Sequence, residues 1–228
     1  MREALVLFDI DGTLLRRAGP HHRQALINAV RRVTGIETTT EHIPVQGMLD
    51  RDILRRMMLD AGASESRVRR SMSALVRSAQ SLYPRLCPPS LRAKVCPGVR
   101  GFLWRLARRG VPCGLVTGNL TGIAWTKMQR AGLRPHFRFG AFAEMARDRA
   151  GLVRLAMGEA RRRGYSDRRT KIYLVGDHPN DIMAAQANGI PAISVATGLS
   201  SREELASHAP HLLLDDLRPL RMRMLLES

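Results

Sequence analysis

The stretch Leu5-Val6-Leu7-Phe8-Asp9-Ile10-Asp11-Gly12-Thr13-Leu14 decides how this chain is read. Its first half is a short, continuous apolar run, the pattern of a strand buried on both faces of a parallel sheet. Gly12-Thr13 then breaks it. Asp9 and Asp11 stand two residues apart, and on extended backbone that spacing aims both carboxylates to one side. Two acids so close repel unless a cation or a shared proton compensates. A turn after the strand accounts for Asp11 or Gly12, but not for a second acid ending an apolar run.

Two later runs repeat the theme. Leu174-Val175-Gly176-Asp177-His178-Pro179-Asn180-Asp181 is an apolar strand ending in acids, with Asp177 at the strand end and Asp181 opening the next helix. Hard oxygen donors of this kind suit Mg²⁺, which keeps waters and needs few protein carboxylates. Asp181 reads equally as an acid favoured by a helix N-terminus, and the two roles can coexist. Between these runs lies Leu115-Val116-Thr117-Gly118-Asn119, a strand ending in a polar loop before a helix. A hydroxyl with backbone N–H groups at a helix start can hold phosphate, although Thr-Gly-Asn is also ordinary turn chemistry. In open α/β sheets, reactive groups gather beyond the carboxyl ends of the strands.

Working outward, residues 21–86 change to helical spacing without a convincing strand. Ala25, Leu26, Ala29, Val30 and Val33 fit one apolar helix face, Ile53, Leu54, Met57 and Met58 a second, and Val68, Met72, Leu75, Val76 and Ala79 a third. The proline-containing stretches around 87–90 and 96–98 bracket a linker. After it, helices over 99–109, 121–131, 149–163 and 181–188 alternate with strands over 113–117, 137–140, 172–175, 192–195 and 212–214. Repeated βα units predict an α/β fold with a mainly parallel, Rossmann-like sheet. The expected core is 1–15 with 90–228, interrupted after its first strand by an all-helical cap at 16–89.

The 228 residues carry 44% apolar side chains and 25% charged ones, enough for a sizeable core and against wholesale disorder. No run reaches 18 apolar residues, which excludes a membrane-spanning helix, and no signal peptide is evident, so the reading is of a cytoplasmic protein. Cys87, Cys96 and Cys113 form no CxxC pair and read as incidental thiols. Lys+Arg number 37 against 20 Asp+Glu, a net charge of +17. Such a field favours polyanions. The basic residues are nevertheless spread along the chain, and aromatics are only 4% of it, too few for a base-stacking platform. The preferred reading is arginine on solvated helix faces, which argues against a specific nucleic-acid partner.

Asp-x-Asp, Thr-Gly-Asn and Gly-Asp-x-x-x-Asp at three successive strand ends resemble the haloacid dehalogenase-like hydrolase superfamily, in its phosphatase branch with a helical cap. The resemblance covers essentially the whole chain. It implies that Asp9 is a nucleophile forming an aspartyl-phosphate, and that Asp11 protonates the leaving oxygen and later activates water. It further implies that Thr117, with the amides of Gly118 and Asn119, holds the phosphoryl oxygens. Mg²⁺ would be held by the Asp9 side chain, the Asp11 backbone carbonyl and Asp177, with Asp181 in support. Members that displace halide lack an acid at the position of Asp11, so dehalogenation is not expected.

One motif departs. Relatives use a lysine before the helix preceding the last acidic motif, whereas this stretch reads Glu144-Met145-Ala146-Arg147-Asp148-Arg149-Ala150-Gly151. Arg149 is the expected replacement, with Arg147 and Lys127 as competitors, or both arginines lie on the surface. The cap loop Gly47-Met48-Leu49-Asp50-Arg51-Asp52 resembles that of phosphoglycolate phosphatase-like relatives, where an acid often occupies the position of Asp50. Sugar-phosphate mutases prefer arginine there. Asp50 could instead cap the helix over 51–59. His21 and His22 read as exposed linker residues, and His178 as positional. The expected activity is Mg²⁺-dependent hydrolysis of a small phosphorylated metabolite, with 2-phosphoglycolate as a candidate. Nucleoside monophosphates are the alternative substrates, and a basic nucleic-acid-binding protein on a decayed hydrolase scaffold the alternative class.

Overall fold

A computed structural model describes residues 4–16 and 19–226. The expected core and cap spans include residues 1–3, 17, 18, 227 and 228, which lie outside the described residues. Strand β1 (Ala4–Phe8) is followed by three helices, α1 (His21–Thr34), α2 (Asp50–Asp60) and α3 (Glu65–Leu86). The chain then alternates through α4 (Val99–Arg108), β2 (Cys113–Val116), α5 (Thr121–Ala131), β3 (Phe137–Ala141), α6 (Arg149–Arg162) and β4 (Lys171–Gly176). It ends with α7 (Pro179–Gln186), β5 (Ala192–Val195), α8 (Arg202–Ser207), β6 (Leu212–Leu214) and α9 (Arg223–Leu226).

The six strands form one sheet in the order β3-β2-β1-β4-β5-β6, and every pairing is parallel. This is the Rossmann-like α/β architecture. The sheet is covered by helices, which is why β1, β2 and β5 are buried throughout and β4 at all but its first residue, and why they read as apolar runs. Phe8 anchors the centre, edge-on to Phe102 at 6.2 Å and Phe137 at 5.8 Å between ring centroids. The chain winds one way from β1 to β2 and β3 and the other way to β4, β5 and β6. The crevice beyond the carboxyl ends of β1 and β4 is therefore the switch point where such sheets bind ligands.

Helix α3 starts at Ser64, whose hydroxyl accepts from the Arg67 N–H at 3.3 Å. Apolar residues of α1, α2 and α3 (Leu26, Met58 and Leu75 among them) are buried in the common core. The two chain passages joining these helices to the sheet run side by side: Leu15 bridges to Val95, and the Arg16 N–H donates to the Lys94 carbonyl at 2.8 Å. Several boundaries expected from sequence shift by a residue or two. The helix expected over 181–188 begins at Pro179, because His178 caps it and proline suits the first helical position.

Candidate active site

Strand ends and helix starts deliver the reactive side chains. The Asp9 N–H donates to the Val175 carbonyl at 2.9 Å, extending the β1–β4 pairing one residue beyond β1. Asp177 follows the end of β4 and accepts from the Thr13 hydroxyl at 2.8 Å. Carboxylate oxygens of Asp9, Asp177 and Asp181 lie within 4.8 Å of one another, all three residues buried. Glycine permits this crowding. A Cβ at Gly12, where φ is +88°, would fall 2.0 Å from Asp177 Oδ2, and one at Gly198 would fall 1.7 Å from it.

Burial pushes Asp9 up to about 7, against the pull of Arg149 and with the help of Asp181 and Asp11. Asp177 is raised well above the ordinary carboxylate range by burial, Asp9 and Asp181. Ionised together, three buried acids sharing one arginine would carry excess negative charge, which is why Asp9 and Asp177 hold on to protons. An all-oxygen donor set in that ionised state fits a hard divalent cation such as Mg²⁺.

Arg149 is the first residue of α6, whose start is fixed by Asp148 accepting from the Gly151 N–H at 2.7 Å. Its side chain is 9% exposed. Nη1 lies 3.2 Å from Asp9 Oδ1 and also donates to Asp181. Burial works against its charge, but Asp181 and Asp9 outweigh it and raise the pKa, so the guanidinium stays protonated. Its Nε is buried without a partner. Arg147 is exposed. Asp181 serves two neighbours: one oxygen takes Arg149, and the other accepts from the His178 N–H at 3.2 Å. His178 Nδ1 in turn accepts from the Asn180 N–H at 3.2 Å, so the histidine shapes the start of α7.

Lys127 does not turn to Asp9. It is 1% exposed and lies 2.7 and 2.6 Å from the two oxygens of Asp11, 2.6 Å from Asn119 Oδ1 and 3.2 Å from His22 Nδ1. Burial pushes Asp11 up, yet Lys127, His22 and the hydrogen bonds from Lys127 and Asn119 more than offset it and hold Asp11 below the usual range.

The loop after β2 departs from expectation. Thr117 is fully buried, and its hydroxyl accepts from the Asn119 N–H at 3.3 Å and the Asn119 side chain at 2.7 Å, so it props Asn119 from below the cavity wall. The amides opening α5 are also taken. Leu120 N–H donates to Asp50 at 2.9 Å, Thr121 N–H to Glu144 at 3.1 Å and Gly122 N–H to Gln80 at 2.6 Å. The Gly118 N–H has no partner among the described residues.

Asp50 does not cap its own helix: Leu49 holds that position and no side-chain cap forms. Its carboxylate binds Leu120 N–H and His22 Nε2, each at 2.9 Å, so it caps α5 from across the cleft. His22 is therefore not an exposed linker residue. It stands in α1, 20% exposed, between Asp50 and Lys127. The loop before α2 is tied down twice, by Asp50 N–H to Gly118 O at 2.8 Å and by Asn180 to Gly47 O at 3.0 Å. It roofs a cavity of about 840 Å³ walled by Asp9, Asp11, Asp50, Gly118, Asn119, Arg149 and Asp177 among others.

His22 was missed from sequence, although it sits three and four residues before Ala25 and Leu26 on the buried face of α1. Lys127 carried the same signal on α5, where it shares a buried stripe with Ile123, Ala124, Met128 and Ala131.

An all-parallel sheet with clustered carboxylates at its switch point defines a doubly wound α/β protein whose chemistry sits outside β1 and β4. A family model described as haloacid dehalogenase-like hydrolase matches residues 6–186, and the chain belongs to that family. It is 30% identical over 125 residues to a phosphoglycolate phosphatase of Yersinia pseudotuberculosis, covering 54% of this chain and 52% of that protein. The match thus spans about half the length of that relative. A phosphoglycolate phosphatase of Synechococcus elongatus is 27% identical over 213 residues, 92% of each chain. A β-phosphoglucomutase structure from Clostridium difficile superposes with a TM-score of 0.70 at 19% identity, covering 100% of this chain and 96% of that one. That likeness shows the fold. No helix among the described residues is long and apolar enough to cross a membrane.

Proposed function

We propose that this chain hydrolyses small phosphomonoesters through an aspartyl-phosphate on Asp9, with Mg²⁺ as cofactor. The observation that carries the reading is the buried juxtaposition of Asp9, Asp177 and Arg149 at the switch point, with Asp11 set apart on Lys127. Asp9 and Asp177 side chains and the Asp11 backbone carbonyl would hold the metal, which when bound neutralises charge building on the phosphoryl oxygens. An Asp9 oxygen attacks phosphorus, and the bond to the leaving oxygen breaks as Asp11 passes on a proton that it takes from the monoanionic phosphoryl group when the ester binds. Water then attacks the aspartyl-phosphate, Asp11 takes its proton, and phosphate departs. Arg149 reaches the same phosphoryl group with donors beyond the one facing Asp181, and Gly118 offers its free N–H. Thr117 acts through Asn119. The helical segment 16–89 serves as the cap that closes the cleft and excludes water.

The name shared by the Yersinia and Synechococcus relatives makes 2-phosphoglycolate the first substrate to try. The test is phosphate release from a panel containing 2-phosphoglycolate, nucleoside monophosphates and p-nitrophenyl phosphate, with and without Mg²⁺. Asp9→Asn should abolish turnover by many orders of magnitude in folded protein. Retention of a tenth of the parent rate would overturn the mechanism.

A further inference from the structure

The cavity above Asp9 carries more positive charge than phosphoryl transfer uses. Beyond Arg149 and Lys127, its wall includes Arg16, Arg23 and Lys94. Arg16 and Lys94 are held side by side by the paired passages joining the helical segment to the sheet, through the 2.8 Å bond from Arg16 N–H to Lys94 O. Arg23 projects from the first turn of α1, next to His22. All three are exposed at the rim. None has a carboxylate at ion-pair distance among the described residues.

The acids on the wall are already engaged: Asp9 with Arg149, Asp11 with Lys127, Asp50 with His22 and Leu120, Asp177 with Thr13. Asp216 acts on Arg16 at longer range but is itself bound by Arg218. Like charges gathered around one space with so little counter-charge repel, and an anion placed among them relieves that repulsion. A volume of about 840 Å³ lies in the upper part of the range that encloses drug-sized ligands, roughly 300–1,000 Å³. A two-carbon phosphate ester fills only a small part of such a space.

We propose that Arg16, Arg23 and Lys94 form a second anion subsite, so that the preferred substrate is a phosphomonoester bearing a further anionic group, carboxylate or phosphate, at its end remote from the scissile ester. This rests on the phosphomonoesterase reading above. Asp9, Arg149 and Gly118 take the phosphoryl group to be transferred, and the rim cations take the other anion. Arg23 approaches from the helical segment and Lys94 from the returning passage, so a doubly anionic ligand bridges both and favours the closed cleft.

Matched probes isolate the second anion. 6-Phosphogluconate is compared with glucose 6-phosphate, 3-phosphoglycerate with glycerol 3-phosphate, and fructose 1,6-bisphosphate with fructose 6-phosphate. The first two pairs report a carboxylate, the third a phosphate. In at least one pair kcat/KM should favour the doubly anionic member by about tenfold or more, the effect of one charge-assisted hydrogen bond. That preference should fall severalfold in Arg23→Ala/Lys94→Ala and partly return in Arg23→Lys. Absence of preference in every pair, or its survival in an Arg16→Ala/Arg23→Ala/Lys94→Ala variant, would overturn the subsite. Calorimetric binding of the same pairs reads the subsite without turnover. A protein that hydrolyses none of the probes yet prefers the doubly anionic member, with the preference lost in the triple variant, would refute the phosphatase reading and keep the subsite.

Discussion

Removing the guanidinium of Arg149 would leave Asp9 and Asp181 facing each other in a buried space with no other side-chain cation among the described residues bonded to either. A phosphoryl dianion entering there would meet uncompensated like charge. Arg149→Ala should therefore raise KM and lower kcat together, by about a hundredfold in kcat/KM. Exposed Arg147→Ala should change it little, and Arg149→Lys should recover part of the loss. Steady-state kinetics on p-nitrophenyl phosphate decide between these outcomes, and equal effects at 147 and 149 would refute the assignment. The same acids make stability depend on pH. Asp9 has a folded pKa of about 7 against an ordinary value of 3.8, so the folded state binds this proton more tightly than the unfolded chain. Its contribution, on the order of a few kcal/mol, is fully present below pH 4 and lost as pH rises through 7. Mg²⁺ would bind the ionised form and reverse that trend. Thermal unfolding should then show a larger stabilisation by Mg²⁺ over EDTA at pH 8 than at pH 5, and equal shifts at both would count against the metal site. Asp11 behaves in the opposite sense, held low by Lys127 against its burial, so the proton it gives to the leaving oxygen is one taken up as the ester binds. Asp11→Asn should cost more on alkyl phosphates than on p-nitrophenyl phosphate, whose leaving oxygen hardly needs a proton.

The start of α5 shows how elements far apart in sequence are locked together. Its first amides are satisfied by Asp50 of α2, Gln80 of α3 and Glu144 from the loop before α6. A helix N-terminus attracts anions, and here two carboxylates and one amide oxygen take its N–H groups, which among the described residues leaves the Gly118 amide free for a ligand. Asp50→Ala should strand the buried Leu120 N–H and His22, costing about 1–3 kcal/mol in chemical denaturation. Asp50→Asn, which keeps an acceptor oxygen, should cost less. An alanine variant as stable as the parent would mean that this bridge holds nothing. The strands and helices were legible because each carries its period locally. β1 is apolar throughout, and α1, α2 and α3 keep their stripes through to the buried Leu26, Met58 and Leu75. The clustering of Asp9 and Asp177 was legible too, since both follow apolar strands of a parallel sheet. The positions of Thr117 and Asp50 were not. Thr-Gly-Asn describes a turn, but nothing within it says that the threonine hydroxyl faces Asn119 instead of the cavity. Asp50 bonds residues 28 and 70 positions away, and no local spacing encodes such a partner.

At the scale of the molecule, the charge is unevenly invested. Among the described residues five acids are buried, Asp9, Asp50, Asp177, Asp181 and Asp216, against two basic residues, Lys127 and Arg149. The exterior is therefore more basic than the formal +17 suggests. Surface pairs such as Arg31 with Glu37 and Arg202 with Asp215 neutralise a few arginines, and exposed pairs of this kind add at most about 1 kcal/mol each. Much of the surplus lies on helices, as in the solvated faces of α3, where arginine also favours the helical backbone. A positive field of this breadth attracts any polyanion through counterion release, without reading sequence. Aromatic stacking is poorly provided for: among the described residues Trp104, beneath Arg108, is the single aromatic among the large exposed side chains. Nucleic acid should accordingly bind weakly, with Kd around 10⁻⁴–10⁻⁶ M at physiological salt. Affinity should fall by about a thousandfold between 50 and 200 mM salt if several phosphates are contacted. Fluorescence anisotropy with duplexes of unrelated sequence should superimpose at every salt concentration. Tight binding to one sequence that persists at physiological salt would require a groove-reading element that neither the sheet nor the helices described here provide, and would move the basic surface from solvation to function.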